Sequence, residues 1–275
     1  MNLVNFKQNV YRFLAKNSFT NKLHHDRYWG KLLKYLRKYE NETQKFIWED
    51  LYRFALGRPE VFKHFLNGKI INSDFDQYVK AKYEDLIQFI SQIENHEDYN
   101  ILELGSGWGK NLIYLSETFK KNKFIAAELS ISGRKITDFF STKFNLQISS
   151  IQFNYKSHKR FIRKWSKNNS GPVIIITSFS IEQVPLLNKK FFLDLLNCHN
   201  KIIAYHIEPI AFQVQERDFP FKDFYTEHYN RNFYSILKEL EDESLIKIIK
   251  IYVPAFGHSD NTTSKETIVI QWEKL

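Results

Sequence analysis

The segment Glu103-Leu104-Gly105-Ser106-Gly107-Trp108-Gly109 carries the most specific chemistry in the chain. An apolar run ends in an acid, three glycines alternate with other residues, and a helical pattern opens at Lys110. Glycine brings bare backbone N–H groups and a helix N-terminus close to a ligand, with no side chain in the way. This is a nucleotide-binding turn. The dinucleotide form requires G-x-G-x-x-G, whereas here the third glycine comes one residue early and Lys110 holds the expected position. That spacing argues against a nicotinamide-dependent reductase. A second candidate is the pair His206 and Glu208 in Tyr205-His206-Ile207-Glu208-Pro209. In extended backbone they point to one side, so the carboxylate would orient the imidazole or raise its basicity, and the pair is expected to supply a catalytic base. The competing reading of His206 is a core histidine satisfied by its surroundings.

These residues need a scaffold that brings strand ends together. Short apolar runs at residues 101–104, 123–127, 149–153, 173–177, 201–206, 246–253 and 267–272 alternate with helical stretches, the pattern of a doubly wound sheet. No helical stretch separates the last two, so they are expected to pair as an antiparallel hairpin at the sheet edge. Ligands gather beyond the carboxyl ends of strands in such sheets, which places residues 103–109 and the His206–Glu208 pair on one face. Before residue 95 apolar residues recur at helical spacing, as in Tyr28, Leu32, Leu33, Leu36 and Phe46, Ile47, Leu51, Phe54. The expected fold class is therefore α/β: a seven-stranded doubly wound sheet with a C-terminal antiparallel hairpin, preceded by an all-helical N-terminal region.

The string Ile101-Leu102-Glu103-Leu104-Gly105-Ser106-Gly107-Trp108-Gly109 resembles the first motif of class I S-adenosylmethionine-dependent methyltransferases, in which an acid stands two residues before the first glycine. The resemblance implies a Rossmann-like domain over residues 96–275, with S-adenosylmethionine as cofactor and S-adenosylhomocysteine as product. It also implies roles for particular residues. Glu103, Gly105, Ser106, Gly107 and Trp108 would form the cofactor turn. Glu128, ending the second run, resembles the acid that binds the ribose hydroxyls. Asn154 and Tyr155 would meet the adenine, while Ser178 and Phe179, after the fourth run, would line the cofactor and face the acceptor. Relatives often carry Glu-His where this chain has Glu182-Gln183, which removes one candidate imidazole. The helical residues 1–95 would act as a lid and substrate region. Tyr229-Asn230-Arg231-Asn232 and the loop from His258 to Ser264 are expected to border the acceptor.

Methyl transfer suits an oxygen or nitrogen acceptor on a small molecule, a sugar or glycan, or a peptide, as in bacterial glycan and specialised-metabolite biosynthesis. Two further readings stay open: an RNA-directed methyltransferase using a basic surface, and a catalytically inactive methyltransferase-like binding subunit. The net charge of +9 is concentrated, since residues 1–38 hold nine Lys or Arg against Asp26 alone. Lys159, Arg160, Arg163 and Lys164 form a second basic group, read as the solvated face of an amphipathic helix that buries Phe161 and Trp165. Nucleic acid is the less favoured partner, because phosphate contacts need only scattered Lys and Arg and no base-methylating motif is present. A single cysteine, Cys198, excludes an internal disulfide framework and fits a reducing, cytoplasmic compartment. No apolar run approaches the roughly 20 residues that cross a bilayer, and His24-His25 lacks companion ligands, so neither a membrane span nor a metal site is expected.

Overall fold

A computed structural model describes residues 18–36, 38–39, 42–57, 60–67, 69–169, 171–214, 230–258 and 267–275. Lys7, Arg12, Lys16, Arg37, Tyr229 and the loop residues 259–264 lie outside the described residues.

The central sheet holds seven strands: β3 (Asn100–Leu104), β4 (Lys123–Glu128), β5 (Ile148–Gln152), β6 (Val173–Ser178), β7 (Ile202–Glu208), β8 (Ile246–Tyr252) and β10 (Ile268–Lys274). Their order is β5-β4-β3-β6-β7-β10-β8. The first five run parallel, β10 pairs antiparallel with both β7 and β8, and β8 forms the edge. The expected C-terminal hairpin is therefore present, with β10 inserted between β7 and β8. Val173, Ile174, Ile175 and Ile176 are buried on both sides of the sheet, as a near-continuous apolar run requires of a central parallel strand. Helices cover both faces. The basic helix Lys159–Asn168 buries Phe161 and Trp165 in a stacked pair and leaves Lys159, Arg160, Arg163 and Lys164 exposed.

The N-terminal helices are α1 (Ser18–Leu36), α2 (Gln44–Ala55) and α3 (Phe75–Ser91). Thr43 caps α2, and Asp74 with Gln77 forms a capping box at α3. A β-hairpin stands between α2 and α3, where only helices were expected: β1 (Phe62–Leu66) pairs antiparallel with β2 (Lys69–Ser73). Asn67, at φ +52°, turns it. Strand β9 (Phe256–His258), from the long C-terminal connection, pairs with β1 and completes a second, three-stranded sheet. The N-terminal residues share a continuous core with one face of the large sheet, from Trp48 and Tyr52 through Tyr83 and Phe89 to Tyr205. No helix among the described residues is long and apolar enough to cross a membrane.

Candidate functional site

Strands β3 and β6 are paired in register, Glu103 beside Ile176, so the turns that follow them meet at the same edge of the sheet. Their approach is close. A Cβ on Gly105 would lie 2.5 Å from Cβ of Ser180, and Gly105 sits at φ +73°, so only glycine serves there. Ser180 Oγ donates to the Leu104 carbonyl at 2.8 Å, tying the two turns together. On the other side Glu128 accepts the Gly107 N–H at 3.0 Å and the Ser130 N–H at 2.8 Å, fixing the glycine turn against β4.

These contacts enclose a cavity of about 280 Å³. Glu103, Gly105, Ser106, Gly107, Trp108, Glu128, Asn154, Tyr155, Ser178 and Phe179 all line it. The ten residues nominated for the cofactor are thus brought to one place. Within it, Glu103 is 1% exposed, and its Oε1 accepts from Asn111 Nδ2 at 2.5 Å. Its Oε2 and the hydroxyl of Ser106 accept or donate nothing among the described residues. Burial pushes the Glu103 carboxyl up to about 7, against the Asn111 hydrogen bond and the charge of Lys110. Asn154 spends its Oδ1 on the Lys156 N–H, and Tyr155 reaches inward to Ser180 Oγ at 3.0 Å. Phe179 has φ +54°, a strained conformation for a bulky residue, held by its N–H bond to the Ile207 carbonyl at 3.1 Å.

The placement of His206 and Glu208 is a correction. Both belong to β7 itself, because β10 pairs with it as far as Glu208, and neither lines the cavity. His206 is 1% exposed, packed edge-on against Phe233. Trp272 Nε1 can only donate, and it reaches His206 Nε2 at 2.9 Å, so the ring proton sits on Nδ1 and goes to Thr177 Oγ1, also at 2.9 Å. Both nitrogens are spent, and burial pulls the imidazole down to about 3. It is a neutral core histidine. The two side chains do share a side but have separate partners. Glu208 is 0% exposed and accepts the backbone N–H groups of Ser180, Ile181 and Glu182. It holds the turn after β6 from behind. Arg231 is exposed and lies away from the cavity, while Asn230 and Asn232 bond the chain at Val184 and Leu187.

Among the cavity residues that the sequence reading did not nominate, two come from the N-terminal helices. His25 and Trp29, on α1, close the cavity from above: Trp29 lies over Gly107, and His25 Nε2 donates to Gln183 Oε1 at 2.8 Å. Asp26 anchors this helix by accepting the Ser132 N–H. A Trp and a His on a helical stripe were the only signals, and neither says what that stripe meets.

The sequence matches no protein-family model and no curated protein. Solved structures match in fold. A geranyl diphosphate C-methyltransferase from Streptomyces coelicolor A3(2), in complex with Mg2+, geranyl-S-thiolodiphosphate and S-adenosyl-L-homocysteine, is similar over 90% of this chain and 98% of its own, with a TM-score of 0.53 at 11% identity. In its complex with geranyl diphosphate the similarity covers 74% and 81% of the two chains, with a TM-score of 0.52 at 12% identity. A SAM-dependent methyltransferase from Aquifex aeolicus is similar over 74% and 94%, with a TM-score of 0.46 at 15% identity. The chain has the Rossmann-like fold of class I S-adenosylmethionine-dependent methyltransferases.

Proposed function

We propose that this chain is an S-adenosylmethionine-dependent methyltransferase acting on an oxygen or nitrogen acceptor of a small molecule, a sugar or glycan, or a peptide. The observation that carries the proposal is the cavity itself: a glycine turn with no room for side chains, flanked by two buried carboxylates, one with an oxygen left without a partner. A buried, half-satisfied carboxylate is costly and is kept where a ligand completes it. The residues fit the cofactor. Glu103 Oε2 suits its ammonium, Glu128 can accept from the ribose hydroxyls, and Asn154 can meet the adenine edge. When bound, the cofactor supplies a methyl group on a sulfonium, already activated for displacement.

The chain's own task is then to align the acceptor and exclude water. The glycine turn and the Glu208-held turn after β6 set the two walls, and α1 with Trp29 forms the lid over them. Residues 1–95 thus serve as the lid and substrate region. With His206 spent in the core, the imidazole facing the cavity is His25, which stands against Gln183, the position where relatives often carry histidine. It is the candidate to take the acceptor's proton.

Calorimetric titration with S-adenosylmethionine, S-adenosylhomocysteine and NAD tests the reading. Binding of the first two but not NAD is expected, weakened about a hundredfold or more by Gly107→Asp, whose side chain would meet Trp29 at φ +60°. Folded protein that binds neither sulfur ligand would overturn it.

A further inference from the structure

Lys110 occupies the position where the dinucleotide turn has its third glycine, and it opens the helix Lys110–Thr118 directly after Gly109. Where that turn has bare backbone, this chain carries an amine. Lys110 and its neighbour Asn111 both line the cofactor cavity of about 280 Å³. The helix start has no side-chain cap and no acid in its first turn, so its free N–H groups and dipole add positive potential at the same place.

No fixed counter-charge meets this amine. Lys110 makes no ion pair with a carboxylate among the described residues. Its Nζ lies 5.5 Å from the ring centre of Tyr52, near the outer limit of a cation–π contact, which leaves the charge itself uncompensated. Burial pulls the amine below the ordinary lysine range, and the more distant charge of Glu103 only partly offsets that. Lys82, the other amine of this region, donates to the Tyr52 hydroxyl at 2.5 Å and does not line the cavity. Glu103 is the negative counterpart: Asn111 takes its Oε1 at 2.5 Å, and its Oε2 has no partner among the described residues. Two opposite charges that line one cavity without pairing are completed together by a ligand that carries both signs.

We propose that Lys110 binds the carboxylate at the amino-acid end of the cofactor, opposite the ammonium taken by Glu103, and so makes the site select the whole amino acid over the adenosine alone. The inference rests on the methyl-transfer reading of the cavity. An α-amino acid carries its ammonium and carboxylate on one carbon, so a single ligand group answers both unspent charges. The carboxylate also meets the uncapped helix start, which favours an anion.

The test is calorimetric titration with three ligands: S-adenosylhomocysteine, its decarboxylated analogue, which keeps the ammonium, and methylthioadenosine, which lacks both charges. The unaltered protein is expected to bind S-adenosylhomocysteine about tenfold or more tighter than the decarboxylated analogue. Lys110→Met is expected to bring that preference to about twofold or less and to leave methylthioadenosine affinity within about threefold, while Lys110→Arg keeps most of the preference. Trp48 Nε1 bonds the Lys110 carbonyl at 2.9 Å, a main-chain contact that these variants retain, and Lys110→Gln is a second neutral variant with the same expected ratio. Equal binding of S-adenosylhomocysteine and its decarboxylated analogue by the unaltered protein, or a preference that survives both neutral variants, would overturn the inference and leave the methyl-transfer reading standing. An equal loss of all three ligands in those variants would assign Lys110 to the shape of the cavity and overturn it too. Absence of S-adenosylhomocysteine binding by the unaltered protein would instead overturn the methyl-transfer reading, and this inference with it.

Discussion

Glu103 and Glu208 lie on neighbouring parts of one sheet, both fully buried and both pushed by burial to about 7. Their surroundings differ in one respect. Glu208 receives three consecutive backbone N–H groups across its two oxygens, whereas Glu103 receives Asn111 on one oxygen and nothing on the other among the described residues. The first is finished as it stands and acts as a structural clamp; the second lines a cavity and waits for a partner. Residue type, burial and titration behaviour do not separate a site from a scaffold here. Unspent hydrogen-bonding capacity does. The two histidines differ in place, His206 bonded on both nitrogens within the core and His25 on the cavity wall beside Gln183.

The sharpest way to break this comparison is to replace both carboxylates by amides. Glu208→Gln is expected to destabilise the fold by about 2–4 kcal/mol, since buried backbone donors lose a charged acceptor, and urea denaturation reads the change. Glu103→Gln is expected to leave stability within about 1 kcal/mol and to weaken S-adenosylhomocysteine about tenfold. If Glu103→Gln were the more destabilising of the two, the distinction would be wrong. The histidine pair comes next. His206→Ala should cost about 2–3 kcal/mol while the folded protein keeps its methyl-transfer rate, and His25→Ala should leave stability alone and slow transfer about tenfold. A pH profile that moves with His206 would reverse the assignment.

The same groups make a smaller, signed prediction about pH. Glu103 and Glu208 titrate near 7 when folded against an ordinary value of 4.5, so each adds stability that is full below 4.5 and is lost as pH rises through 7. His206 titrates near 3 when folded against 6.5, so its share is full above 6.5 and is lost as pH falls toward 3. Between pH 6.5 and 4.5 the joint share of these three groups grows on acidification. Glu208→Gln should flatten that gain, and His206→Ala should steepen it, in denaturation midpoints taken across the window. The smallest effect is expected at the exposed basic face. Neutralising Lys159, Arg160, Arg163 and Lys164 should leave S-adenosylhomocysteine binding within about twofold, because screening removes most of such a field within roughly 8 Å. A loss of salt-sensitive RNA binding in that variant would revive the RNA-directed reading.

Much of the site was legible because it is local. Residues 103–109 place an acid, three glycines and a helix start within one turn, and such a string carries its geometry with it. The strands were readable from apolar runs, and the buried face of the helix Lys159–Asn168 from the spacing of Phe161 and Trp165. The β1–β2 hairpin had a signal too, Asn67-Gly68 between two short runs, but aromatic residues at helical spacing on either side concealed it. For His206 and Glu208 the alternation correctly put both side chains on one side, while nothing in the local string told which face of the sheet that was.

By itself, then, the amino-acid sequence determined the glycine turn, the strand and helix succession and the acid at each of two strand ends, because these depend on residues a few positions apart and on backbone preferences. Tertiary structure alone decided what those elements touch. His206 meets Thr177 and Trp272 across three strands, His25 meets Gln183 from a helix 158 residues earlier, and Tyr83 meets Asn111 across two helices. Such partners are chosen by sheet order, register and packing, and whether a polar atom is spent or spare follows only once those are set.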